Sequence, residues 1–320
     1  MKKAAVLTTM LSVAISIAAQ GPPPEPHEMS APPEVAWAYN FPDKEPPPST
    51  DLGPVHIPDS SKTYTQAEID DFYNTPDWLP DQHGPVPSVV LRGSGKDVMA
   101  CGSCHLISGL GHPESANLTA LTIPYFLRQL ADFKSGARKA DRMPEISAAL
   151  SDEDAKAAAE FFTSQKHMSG VKVVEADTVP KSYIGRGHMR LPLPGGETEP
   201  IGNRIIEVPE DVSRVTARDP RVGFIAYVPK GSIAKGEELV SNGIGGTGVG
   251  CGTCHGPSFE GLGDVPRLAG ISPTYIFRQI IAIQTGARAG SAVKPMKGFV
   301  SHAKVDEAIA IAAYLASRPQ

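Results

Sequence analysis

The sequence predicts a mainly α protein of two small helical domains in tandem. A long connector of irregular chain and short strands joins them, and a proline-rich extension precedes the first. Three observations carry this prediction. The pentapeptide Cys-x-x-Cys-His occurs twice, as Cys101-Gly102-Ser103-Cys104-His105 and Cys251-Gly252-Thr253-Cys254-His255. Residues after the two copies match at one offset, 150 (251 − 101). The apolar residues that follow recur at helical spacing, as Phe126, Leu127, Leu130 and Phe133 do in the first half.

Each part of the pentapeptide has a chemical use. Two thiols at this spacing add to the two vinyl groups of a haem, and the adjacent histidine points its imidazole at the iron. A redox Cys-x-x-Cys needs no histidine, and a zinc ribbon pairs its knuckles about 15–20 residues apart. The chain has 4 Cys, and the two motifs use them all. The sequence therefore predicts two covalently bound c-type haems on Cys101, Cys104, Cys251 and Cys254. His105 and His255 are their proximal iron ligands.

Taken from the N-terminus, Lys2 and Lys3 precede an apolar run from Ala4 to Ala19, and a polar, proline-rich stretch follows. This reads as a signal peptide over residues 1–19, too short to span a bilayer comfortably. The mature chain is expected in the periplasm, without a transmembrane segment. Losing Lys2 and Lys3 leaves 28 Lys+Arg (30 − 2) against 35 Asp+Glu, a charge near −7. An acidic chain points away from nucleic acid and from anionic membrane surfaces. Residues 20–60 are rich in proline and are expected to form an extended strap, anchored by Trp37, Tyr39 and Phe41.

The first domain spans residues 61–166. Thr65 and Glu68 form a capping-box pattern for a short helix with Ile69, Phe72 and Tyr73 on one face, ended by Pro76. A helix is predicted over 123–135, stopped by Gly136, and a second from the cap Ser151 to about Ser164. Residues 167–228 are the connector, with strand-like segments at 171–174, 204–208 and 222–228. The second domain, 229–320, opens with a helix over 231–240. The glycine-rich run 243–250 leads into Cys251; no Gly-Lys-Ser/Thr follows, so it is not a phosphate loop.

The repeat also locates a second iron ligand. Tyr125 pairs with Tyr275, Arg128-Gln129 with Arg278-Gln279, and Arg138 with Arg288. Past that point the offset becomes 153, a three-residue insertion in the second half, and Met143 then pairs with Met296. A thioether on the iron stabilises the ferrous state and closes the site to oxygen and peroxide. Met143 and Met296 are the expected distal ligands; Met99, His112 and His302 are rivals. The carbonyls of Ala116 and of the 266–270 strap stand where they could accept the other N–H of each imidazole. Arg138 and Arg288 are candidate partners of the haem propionates, or solvated surface charges.

These segments, above all Tyr125 to Arg138 with Met143 and 150–154, and Pro266 to Arg288 with Met296, resemble the class I cytochrome c domain. The pair resembles the dihaem cytochrome c4 group. The resemblance covers about half the chain. It implies an all-α fold around each haem, His/Met ligation, and electron transfer without chemistry on a substrate. The extension and the long connector depart from that pattern. The function implied is that of a periplasmic electron carrier between redox proteins, a dehydrogenase on one side and an oxidase or reductase on the other. Rival readings are a haem subunit of a larger dehydrogenase and a dihaem peroxidase or sulfur-compound dehydrogenase. Two methionine candidates and the absence of a spare cysteine count against the last.

Overall fold

The computed structural model describes residues 32–40 and 53–319. The apolar N-terminal run, most of the proline-rich extension and Phe41 lie outside them. The extension opens the described chain as a six-residue 3-10 helix, Pro33–Ala38, where the sequence suggested extended chain. Proline at its first positions presets the φ a helix needs. Val35 and Ala38 are buried in the core of the second half, and Trp37 packs against Phe277 with the rings tilted by 34° and their centroids 4.8 Å apart.

The first half contains α1 (Gln66–Ile69), α2 (Ser88–Arg92), α3 (Gly102–His105), α4 (Ile123–Lys134), α5 (Met143–Ala149) and α6 (Asp152–Ser164). Both arms of the Thr65/Glu68 capping box form. Phe72 and Tyr73 nevertheless fall outside α1, because the Asp71 carboxylate accepts the Tyr73 N–H and offers the backbone a turn in place of a helix. Thr122 caps α4 and Ser151 caps α6, each accepting an N–H from three residues on. Phe126, Phe161 and Phe162 from these helices close over Val89, Val90 and Ile107.

The connector holds seven strands and α7 (Val212–Thr216). β1 (Val171–Glu175) runs parallel to β7 (Phe224–Val228), and β6 (Ile206–Pro209) pairs antiparallel on the other side of β7. These are the segments whose β-branched runs announce strands. Two short antiparallel pairs lie between them: β2 (Thr178–Pro180) with β5 (Thr198–Pro200), and β3 (Ser182–Ile184) with β4 (Arg190–Pro192). Three residues are too few to show a period of two.

The second half repeats the first: α8 (Ser232–Asn242), α9 (Gly252–His255), α10 (Pro273–Thr285), α11 (Lys294–Val300) and α12 (Val305–Ser317). α8 crosses α12 at Gly236, where a Cβ would lie 2.0 Å from the Ala310 carbonyl oxygen; only glycine allows this approach. The inserted residues form a 3-10 turn, Ser291–Val293, ahead of α11. Met143 and Met296 stand at the same spacing, nine residues before α6 and α12 (152 − 143 and 305 − 296).

The repeat is reproduced as a pseudo-twofold interface. Lys139 N donates to Ala287 O and Ala289 N to Ala137 O, both at 2.7 Å. Arg128 reaches Asp264 across the interface, and the equivalent Arg278 reaches Glu114, the residue that corresponds to Asp264. Such reciprocity, i on j and j on i, is what a twofold relation imposes. It also fixes the register between halves. The Gly-Leu-Gly triplets at 109–111 and 261–263 look alike, but the structure matches Gly111 with Gly261.

Candidate haem sites

Each pentapeptide folds as one helical turn. His105 N donates to Cys101 O and His255 N to Cys251 O, both at 3.0 Å. The chain then reverses at Leu106, φ 60°, and at Gly256, φ 85°. A non-glycine residue at that φ is uncommon and is held by its surroundings. Gly111 N bonds back to His105 O at 2.9 Å and Gly261 N to His255 O at 2.8 Å. At Gly111, φ 67°, a Cβ would sit 2.4 Å from Ser115 O, so the closing turn requires glycine.

This loop brings a carbonyl to each imidazole. His105 Nδ1 lies 2.8 Å from Ala116 O, and His255 Nδ1 lies 2.8 Å from Pro266 O. A carbonyl only accepts, so Nδ1 carries the proton and Nε2 is left with its lone pair, the tautomer a metal needs. Burial lowers the pKa of both imidazoles and keeps them neutral. His255 is 4% exposed, and its Nε2 is buried with no partner. An orphaned lone pair beside two free thiols fits an iron porphyrin attached through those thiols. Burial pushes the Cys101 thiol up to about 12 and also raises Cys251.

Among the described residues no three His, Cys, Asp or Glu side chains converge on a metal position. Met143 and Met296 are half-buried at the start of α5 and α11, and Met296 touches the second core. Met99 is half-buried as well. His112 is a packing residue: its ring bonds Glu114 N and the Ser115 hydroxyl, each at 3.3 Å, and burial pushes its pKa down to about 3. His302 is exposed.

Arg138 and Arg288 meet each other's halves. Arg138 donates to Gln129 Oε1 at 2.8 Å, Tyr275 OH at 2.9 Å and Gln279 Oε1 at 3.0 Å. Arg288 donates to Gln279 Oε1 at 3.0 Å, Tyr125 OH at 2.8 Å and Gln129 Oε1 at 3.0 Å. The solvated-surface alternative for Arg138 is thereby excluded, since it is 8% exposed. The Nε atoms of Arg267 and Arg288 are buried without a partner.

Two residues near these sites carry no sequence signal. Glu207 is buried in β6, where it accepts the Ser272 hydroxyl at 2.8 Å. Arg218 extends from the connector onto the first attachment loop and donates to Ser103 O at 3.0 Å. Neither has a counterpart in the other half, so the repeat could not reveal them.

No family model matches the chain. It is 27% identical over 230 residues to the thiosulfate dehydrogenase electron acceptor of Stutzerimonas stutzeri (strain A1501), covering 70% of this chain and 82% of that one. It is 25% identical over 228 residues to the thiosulfate dehydrogenase electron acceptor of Thiomonas intermedia (strain K12), covering 70% and 80%. The fold is similar to that of thiosulfate dehydrogenase (TsdBA) from Marichromatium purpuratum, with a TM-score of 0.50 and 24% identity. That match covers 71% of this chain but spans only 38% of the solved one. A reduced cytochrome c4 from Pseudomonas stutzeri gives a TM-score of 0.47 at 21% identity, over 68% of this chain and 93% of that one. In its paired attachment motifs and its matched imidazoles, the chain resembles the dihaem class I c-type cytochromes.

Proposed function

We propose that this chain is an exported dihaem electron carrier whose electron donor is a dehydrogenase of the thiosulfate-oxidising kind. The observation that carries the reading is the matched pair of imidazoles. Each follows directly on two thiols and is held neutral and fixed through Nδ1, His255 buried with Nε2 unpartnered and His105 half-buried. A bound haem supplies one-electron redox chemistry. The polypeptide holds the iron, excludes water from it and tunes its potential. The names of the two relatives supply the partner class.

His105 and His255 are the proximal ligands in this reading, and Met143 and Met296 the distal ones. Their common spacing before α6 and α12 and their half-burial support the methionines. The unpartnered Nε atoms of Arg267 and Arg288 are the donors assigned to propionates, while Arg138 serves the interface. The apolar segment 1–19 is the export signal. No helix among the described residues is long and apolar enough to cross a membrane.

A second reading, a subunit bound permanently to its dehydrogenase, is favoured by the likeness to TsdBA. The test is to titrate the holoprotein while recording the near-infrared band of methionine bound to ferric haem. Two equivalents per chain and rapid reduction by a thiosulfate dehydrogenase are expected. Peroxide or cyanide binding at one haem would overturn the carrier reading. Co-elution with the dehydrogenase at nanomolar concentration would select the subunit reading.

A further inference from the structure

The two attachment loops have the same internal geometry but different surroundings. Ser103 is buried and Cys104 half-buried in the first, whereas their equivalents Thr253 and Cys254 are exposed; the imidazoles run the other way, His255 buried and His105 half-buried. The connector reaches the first loop through residues 217–221. Ser108 donates its hydroxyl to Pro220 O at 2.9 Å, and Arg218 donates to Ser103 O at 3.0 Å. This arm is fixed from several directions. The buried Trp78 indole donates to Ala217 O at 2.8 Å. Asp219, wholly buried, accepts from Arg214 at 2.8 Å and pairs with Arg221 at 3.6 Å. Arg221 also reaches Asp59 and Pro58 O.

Arg218 itself has φ 53°, a backbone position that arginine rarely takes. Its guanidinium lies 5.0 Å from the Phe72 ring centroid. Local strain in a residue held by so many neighbours marks a side chain placed for a purpose. Among the described residues no cation is bonded to the second loop in this way.

We propose that the connector supplies Arg218 as a fixed cation on the first attachment loop, so that the first haem has a higher reduction potential than the second. This rests on the dihaem reading above. Reducing ferric haem adds one negative charge, and a fixed cation nearby favours the reduced form. Electrons arriving at the second site then run downhill to the first. The connector thus makes a symmetric repeat directional.

The test is a spectroelectrochemical titration of the holoprotein with Arg218→Gln and Arg218→Lys. A Cys254→Ala background leaves one vinyl group on the second haem and displaces its absorption band, so the two titrations are read apart. Arg218→Gln is expected to shift the ferrous-to-ferric ratio of the first haem about tenfold at fixed potential, a fall of about 59 mV. The second haem stays put, and Arg218→Lys keeps most of the wild-type value. An unmoved first haem, an equal shift in both, or a lysine variant that behaves like glutamine would overturn the proposal. A haem content below two per chain would instead count against the dihaem reading.

Discussion

At the scale of single residues, Glu207 stands on β6, all four of whose residues are buried. Burial is the largest cause of its pKa being pushed up to about 7, against an ordinary 4.5, while bonds from Ser272 and Thr274 and the charge of Arg278 pull it back. Below about pH 4.5 both the folded and unfolded chains hold the proton. From there to about pH 7 the unfolded chain ionises first, so stability falls as pH rises through that window. The loss amounts to about 3 kcal/mol when complete. Glu207→Gln should match the wild type in thermal melts of the holoprotein at pH 4.5 and melt higher at pH 8. Equal melting temperatures at pH 8 would show that Glu207 ionises without penalty. Nothing in Ile-Glu-Val-Pro announces this burial. The carbonyl on each Nδ1 is legible in the sequence, because a repeated pentapeptide fixes local geometry and the offset pairs Ala116 with Pro266.

At the scale of elements, a cap together with an apolar period makes a helix legible. The helix expected over 123–135 is Ile123–Lys134, and the one expected from Ser151 is Asp152–Ser164. Their starts are set by a single side chain accepting an N–H, which sequence shows directly. The strap carries no such signal. Its prolines excluded a long helix, but they also preset a 3-10 turn that no periodicity announces. Trp37 and Tyr39 do anchor it, on the core of the second half. Arg190 ties it further, donating to Trp37 O and to Asn40 Oδ1 at 2.9 Å. Trp37 is half-buried, so Trp37→Ala should remove about 2–3 kcal/mol, less than a fully buried tryptophan. The variant should melt lower and be cleaved faster by protease in its N-terminal region. Unchanged protease resistance would mean that the strap is held without its tryptophan.

At the scale of the whole molecule, the sequence repeat predicts two similar halves but not how they face each other. That relation lies in cross-interface pairs, which only the fold brings together. The same pairs show where the twofold relation is broken. Arg278 and Glu114 are 2.5 Å apart, with side chains 11% and 13% exposed. Their equivalents Arg128 and Asp264 are 3.6 Å apart, with side chains 30% and 45% exposed. The strap makes the difference: Arg278 also bonds Ala38 O, and the Asn40 amide donates to Glu114 at 2.8 Å. One chemistry in two environments should therefore have two magnitudes. Glu114→Gln leaves a buried guanidinium without its counter-charge and should cost about 3 kcal/mol, whereas Asp264→Asn should cost under about 1 kcal/mol. Salt sharpens the contrast, since screening weakens the exposed pair and leaves the covered one nearly unchanged. Urea unfolding of both variants at low and at high ionic strength measures both effects. Equal losses would mean that the strap does not shield the interface in solution, and that the halves are held by the arginine–glutamine–tyrosine network alone.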